Sequence, residues 1–164
     1  MIFENATEND KEEILALYNS LIGTKYCAWT TEYPNMREID FDLSRNALFC
    51  LRDNGKIVGV ISIDEDEAVG GLPYWNKELE PSVELSRLGV HNDYQNQGIA
   101  GKMITYLMTT CRERGYKGVH FLVSKQNIKA QKAYAKLHFR IVGECSMFDD
   151  DFWCYEKSIV DNTQ

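Results

Sequence analysis

The spacing of apolar residues changes period several times along the chain, and each change marks an element. From Asn9, the run NDKEEILALYNSLIG places Ile14, Leu17 and Leu21 at helical spacing behind polar capping residues, with Gly23 as a stop, which predicts a first helix. REIDFDLSRNA, with Ile39 and Leu43 four apart and Pro34 just before it, predicts a second. The loop between them, TKYCAWTTEYP, is rich in aromatic residues. ALFCLR and KIVGVISID are short apolar runs joined by Asp53-Asn54-Gly55, a hairpin signal. Residues 65 to 81 show no clear period and make a long connection, of the kind that often carries function.

VELSRLGV then reads as a strand, and Gly89 near its end suggests a bulge or the close approach of another backbone. From Gly98 to about Glu113 the pattern is helical, with Ile99, Met103, Tyr106 and Leu107 on one side and Gly115 as the stop. A strand, VHFLV, follows, and Asn127 caps the helix NIKAQKAYAKL, whose Ile128, Ala130 and Tyr134 are spaced to share a face. FRIVGE and DFWCYEKSIV close the chain as strands. Helices and strands in this order predict an α/β fold with a mixed sheet, in a chain of 164 residues that suits one domain, 1–164.

Charge narrows the partners. The formal net charge is −7, so the long-range field repels nucleic-acid phosphates and anionic membrane surfaces; neither is expected as a partner. A small basic or amide-lined patch can still hold an anionic cofactor, because charge acts over only about 8 Å at physiological salt. Five cysteines, widely spaced and without a C-x-x-C pair, give no disulfide framework or zinc site. His91, His120 and His138 lack metal-ligand spacing and read as surface or packing residues, so no metal is expected. The opening MIFENATENDKEE has neither a basic region nor an apolar one, which makes a cytoplasmic protein the expectation.

The segment Gln95-Asn96-Gln97-Gly98-Ile99-Ala100-Gly101-Lys102 lies between the end of a predicted strand and the start of a predicted helix. A helix start presents N–H groups with no intrahelical acceptor and the positive end of the helix dipole, and small residues there let a phosphate come close. The octet therefore reads as a pyrophosphate site, or else as a helix start whose small residues pack on a strand. It fits neither the triphosphate loop G-x-x-x-x-G-K-[ST] nor the dinucleotide motif G-x-G-x-x-G.

RLGVHNDYQNQGIAGKMI resembles the Q/R-x-x-G-x-G/A segment of the GCN5-related N-acetyltransferases, with Gln95, Gly98 and Ala100 at its defining positions. About 30 residues downstream, NIKAQKAYAKLHF is similar to that family's N-x-x-A-x-x-x-Y-x-x-x-G-F, with Asn127, Ala130, Tyr134 and Phe139 in place. The resemblance covers residues 56 to 158 well and the first fifty by element order. It departs at His138, where the family usually has a glycine suited to a left-handed helix cap, and at Asn92, where proline is common. Histidine tolerates positive φ better than most residues, so a small cost in stability is expected.

The resemblance implies a mostly antiparallel sheet of about seven strands, splayed at the cofactor and flanked by about four helices. It implies acetyl-coenzyme A as cofactor, with the pyrophosphate on main-chain N–H groups of residues 95 to 102. Leu88, Gly89 and Val90 would pair with the pantetheine arm, a Val90 N–H would meet the oxyanion, and Asn127 and Ala130 would complete the cofactor site. Tyr134 is the implied general acid, able to protonate the departing thiolate. Glu84 is the implied general base, needed because an amine is mostly protonated at neutral pH. The expected reaction is acetyl transfer to a primary amine of a small molecule or peptide by direct attack in a ternary complex, and the alternative is an acyl-coenzyme A binding or sensing module on the same fold.

For the acceptor, Tyr26, Trp29, Tyr33, Tyr74 and Trp75 are candidate pocket walls or, equally, pegs that pin loops to the core. Glu32 and the acidic run from Asp64 to Glu67 favour a cationic acceptor. Exposed aromatics in the first loop and closing strand would suit a homodimer interface as well as a substrate wall.

Overall fold

A computed structural model describes residues 1–160; the expected domain limit at 164 lies outside them. Seven strands form one open mixed sheet in the order β1-β2-β3-β4-β5-β7-β6. The strands are β1 Ile2–Asn5, β2 Leu48–Asp53, β3 Lys56–Asp64, β4 Ser82–Val90, β5 Gly118–Ser124, β6 Arg140–Met147 and β7 Asp150–Ser158. The helices are α1 Lys11–Leu21, α2 Met36–Ser44, the single-turn α3 Glu67–Gly70, α4 Ile99–Glu113 and α5 Ile128–Lys136. The chain forms two compact units, Met1–Asp64 with Ser86–Ile104, and Glu65–Leu85 with the chain from Thr105 onward.

In the first unit, Thr7 and Asp10 lead into α1: the Thr7 N–H donates to Asp10 Oδ2 at 2.8 Å. Ile14, Leu17, Tyr18 and Leu21 are buried along one side of α1. Asn35 caps α2 by accepting from the Arg37 N–H at 3.0 Å, and Glu38 Oε2 accepts from the Asn35 N–H at 2.9 Å. The β2–β3 hairpin turns on Asn54 and Gly55, both at positive φ, as the Asp-Asn-Gly signal predicts. Two clusters fill the unit. One joins Ile14, Tyr18 and Ile39 to Leu48, Cys50 and Val60, and the other joins Leu51 and Val58 to Ile99 and Met103 at the start of α4.

In the second unit β4 and β5 run parallel, in register only from Ser82–Glu84 against Gly118–His120. Elsewhere β1–β2, β2–β3, β5–β7 and β6–β7 are antiparallel. Phe121 anchors an aromatic cluster here, 4.7 Å from Tyr134, 4.8 Å from Phe139 and 5.7 Å from Tyr155 between ring centroids. The α5 terminus is a Schellman cap. His138 is left-handed at φ 65°, its N–H donates to the Ala135 carbonyl, and the Phe139 N–H donates to the Tyr134 carbonyl. The left-handed cap expected at His138 is therefore present.

The structure departs from the periodic reading in four places. β1 has two apolar residues in four and pairs along β2 all the same. The unpatterned stretch before β4 contains α3, a turn started by Asp66, whose carboxylate accepts from the Ala68 and Val69 N–H groups. Tyr106 is 44 % exposed although its spacing sets it on one side of α4 with Ile99, Met103 and Leu107, which are buried. The buried stripe is centred instead on Met103, Ile104, Leu107 and Cys111, which leaves Tyr106 over its edge. Ile128, expected to share the inward face of α5 with Ala130 and Tyr134, is 48 % exposed while those two are half-buried.

Candidate active site

The end of β4 and the start of α4 are joined by a turn in which the side chains of His91, Gln95 and Gln97 fix its own backbone. The His91 N–H donates to the Val58 carbonyl at 2.8 Å, and His91 Nδ1 accepts from the Asp93 N–H. Gln95 Nε2 donates to the Val90 carbonyl at 2.9 Å, tying the octet back to the strand end, and Gln97 Nε2 reaches the Asp93 carbonyl at 3.2 Å. Tyr94 anchors the turn by donating its hydroxyl proton to Asp53 at 2.8 Å. Asn96 and Gly98, at φ 61° and 75°, are left-handed on either side of Gln97. The first helical bond runs from the Lys102 N–H to the Gly98 carbonyl.

Left-handed residues alternating along a turn can point N–H groups to one side, the arrangement of anion-binding nests, and this turn leads into the N-terminus of α4 with its positive dipole end. Ile99 is buried and pins the helix start, while Asn96, Gln97, Gly98 and Lys102 are exposed and Gln95, Ala100 and Gly101 half-buried. A Cβ at Gly98 would have nothing within 4 Å, so the space over this turn is open. An exposed turn with left-handed residues at the start of a helix suits a pyrophosphate, and packing on a strand would not require that openness.

Leu88 and Val90 pack half-buried against the cluster that includes Ile99. Gly89 is explained by side chains, where sequence reasoning expected a bulge or a neighbouring backbone. Leu21 Cδ1 lies 2.9 Å and Trp29 Cη2 3.2 Å from where its Cβ would stand. The strand's irregularity falls two residues earlier, at Arg87, whose φ is +49°. Arg87 and its buried partner Asp42 were missed by the sequence reading. The signal was there: Arg87 occupies an inward position in the alternation Val83, Leu85, Arg87, and Asp42 follows Ile39 by three on the apolar side of α2.

In the second unit, Asn127 Oδ1 accepts from the Ala130 N–H at 3.0 Å, so it caps α5 as its sequence context requires. Tyr134 is half-buried in the aromatic cluster; burial, reinforced by Tyr155, pushes its phenol up to about 12, so it stays protonated through neutral pH. Glu84 is half-buried on β4 in register with His120.

The acceptor candidates fare unequally. Trp29 is half-buried edge-on against Tyr18, 5.2 Å between centroids. Trp75 donates from Nε1 to the Val69 carbonyl at 2.8 Å and lies over the His120 ring at 4.6 Å, so it pins its loop. Tyr26 and Glu32 are exposed. The acidic run is largely occupied locally: Asp64 takes an Arg87 hydrogen bond, Glu65 accepts from the Tyr116 hydroxyl at 2.9 Å, and Asp66 caps α3.

A mixed sheet in which β4 runs through a left-handed turn into α4 defines an α/β fold of the strand-turn-helix type. The chain belongs to the acetyltransferase (GNAT) family, whose model matches residues 14–139. No curated protein matches the sequence. Among solved structures the fold is similar to an N-acetyltransferase from Staphylococcus aureus Mu50, at 21 % identity and a TM-score of 0.73, over 97 % of this chain and 98 % of that one. It is also similar to the ribosomal-protein-alanine N-acetyltransferase from Brucella melitensis, at 19 % and 0.75, over 96 % and 99 %. A third is yncA from Salmonella typhimurium, solved with its cofactor acetyl-CoA, at 18 % and 0.73, over 100 % and 96 %. The family uses acetyl-CoA and acts on amine acceptors. No helix among the described residues is long and apolar enough to cross a membrane.

Proposed function

We propose that residues 1–164 act as one acetyl-CoA dependent N-acetyltransferase, moving an acetyl group to a primary amine of a small molecule or peptide within a ternary complex. The observation that carries this reading is the turn at 95–98, with left-handed Asn96 and Gly98 beneath open space at the start of α4. Main-chain N–H groups of residues 96 to 101 would hold the pyrophosphate. Those of Gln95 and Lys102 are spent on the Asn92 and Gly98 carbonyls, so Gln95 fixes the turn and Lys102 would reach the phosphates with its side chain. Leu88, Gly89 and Val90 would pair with the pantetheine arm. Bound there, acetyl-CoA supplies an activated thioester.

The chain's own groups supply the rest. Glu84 takes a proton from the acceptor ammonium, directly or through water, and the Val90 N–H donates to the carbonyl oxygen as charge gathers on it. Tyr134 gives its proton to the departing thiolate; its raised pKa keeps that proton available at neutral pH. Asn127 and Ala130 complete the cofactor contacts. Tyr26, Trp29, Glu32 and Trp75 shape the acceptor side, and the protein works in the cytoplasm.

The test is calorimetric titration with acetyl-CoA and with free coenzyme A, repeated on Gly98→Glu. That variant sets a bulky anion over the turn and also puts a residue with a Cβ at positive φ. Binding by the wild type, loss of it in a folded variant, and release of thiol with a panel of primary amines are expected. Absence of binding by the wild type would sink the cofactor site. Binding with no transfer to any amine, unchanged in Tyr134→Phe and Glu84→Gln, would mark a sensing module instead.

A further inference from the structure

Arg87 is 9 % exposed in the middle of β4, and its guanidinium is engaged on every edge. Nη2 donates to Asp42 Oδ1 at 2.7 Å and to Asp64 Oδ2 at 3.0 Å, Nε donates to Asp42 Oδ2 at 3.0 Å, and Nη1 donates to the Tyr33 hydroxyl at 3.1 Å. Asp42 is 0 % exposed and also accepts from Arg45 Nη2 and Ser62 Oγ, each at 2.7 Å. Two arginines and two aspartates make the group neutral. One side chain of β4 is thereby tied to α2, to the end of β3 and to the aromatic loop before α2.

Burying such a group is a poor route to stability, because desolvation offsets most of the attraction and apolar side chains of similar volume serve as well or better. It is a good route to geometry. Left-handed backbone is unfavourable for an arginine and persists only where the surroundings over-determine it. The fork to Asp42 does so here, and the bend comes immediately before the three residues assigned to the pantetheine arm. The loop tied through Tyr33 also carries Trp29, whose ring lies against Gly89, the middle residue of those three.

We infer that Arg87 is a positioning residue that fixes the donor-binding strand and the acceptor loop together. Its fork to Asp42 sets the bend that presents Leu88 to Val90, and its bond to Tyr33 holds the loop to that same strand. The inference rests on the proposed function, and two variants separate its parts. Arg87→Lys keeps the charge but cannot fork. Tyr33→Phe removes only the loop tie. In Arg87→Lys, amide hydrogen exchange at residues 88 to 91 of the ligand-free protein should speed up about tenfold relative to the rest of β4, and the coenzyme A Kd should rise about tenfold, the scale of one charge-assisted hydrogen bond. Tyr33→Phe should leave both unchanged and raise the acceptor KM with kcat near the wild-type value. If Arg87→Lys fails to fold, Asp42→Asn replaces it with the same expectations. A variant of lowered Tm whose exchange at 88 to 91 and coenzyme A affinity match the wild type would show a merely structural cluster and overturn the inference. A wild type that binds no coenzyme A overturns the cofactor reading and the donor-positioning claim together, and the exchange data still decide whether the fork holds the bend.

Discussion

His120 gives the sharpest stability prediction. It is 6 % exposed on β5, with Nδ1 2.8 Å from Ser82 Oγ and the Trp75 ring over its face. Its register partners are Glu84 on β4 and Glu156 on β7. Burial lowers its pKa from 6.5 to about 4, so the folded protein holds it neutral while the unfolded chain protonates it. A depressed folded pKa contributes stability that is present above 6.5 and lost as the pH falls toward 4. At about 1.4 kcal/mol per pH unit, that loss is about 2.5 kcal/mol between pH 7.5 and pH 4.5. Glu156 acts with the opposite sign, since burial raises its pKa against the opposing pull of the Asn76 N–H and Arg140, so the wild-type curve alone mixes the two. His120→Asn isolates the first, because the amide can still meet Ser82 and does not titrate. Urea unfolding of both proteins across this range should show the variant less stable near pH 7.5, from its lost packing, with the deficit shrinking by about 2.5 kcal/mol as the pH falls to 4.5. Parallel curves would refute the reasoning and mean that Glu84 or Glu156 shelters the imidazolium.

Three further outcomes follow from single positions. His138→Gly should raise stability by about 0.5 to 1 kcal/mol, a Tm gain of a few degrees, because glycine adopts φ 65° without strain. Gly143→Ala should cost about 1 to 3 kcal/mol in thermal or urea unfolding, since the new methyl would overlap the Tyr74 ring that lies against the bare backbone of β6. Cys145 and Cys154, with Sγ atoms 3.9 Å apart on β6 and β7, should be joined by diamide, which takes up the two thiol hydrogens; thiol titration would show the loss of two thiols, abolished in Cys145→Ser. The reaction should be slow at neutral pH, because burial pushes the Cys154 thiol up to about 12 and its thiolate is scarce.

The elements that were legible in the sequence are those whose apolar spacing is long enough to repeat. α1, α2, the β2–β3 hairpin and the helix start at Ile99 all follow from period and caps. β1 does not, since four residues with two apolar positions carry no period and their pairing with β2 is a tertiary event. The octet at 95–102 was legible because its small residues answer a backbone demand, seen as positive φ at Gly98. The Asp42–Arg87 fork was not, because each residue alone looks like an ordinary charge on a half-polar element. Only the interruption of an inward alternation by Arg87 marks it, and the carboxylate that must answer it lies 45 residues away.

The acceptor side was the least legible for a related reason: an aromatic residue in a loop reads the same whether it meets a ligand or the protein. Trp29 meets Tyr18 and the bare backbone at Gly89, whereas Tyr26 is 43 % exposed with Lys25 Nζ 5.0 Å from its ring centroid. The two should therefore separate on substitution. Trp29→Ala removes a half-buried ring from the core and should cost about 2 to 3 kcal/mol in urea unfolding. Tyr26→Ala removes no core contact, and it takes a side chain off a left-handed position at φ 67° without relieving it, so stability should change by under about 0.5 kcal/mol. If Tyr26 meets the acceptor, its loss raises acceptor KM and leaves coenzyme A affinity as it was. An unchanged KM would remove it from the acceptor site and leave the exposed Glu32 as the carboxylate to test next in the same loop.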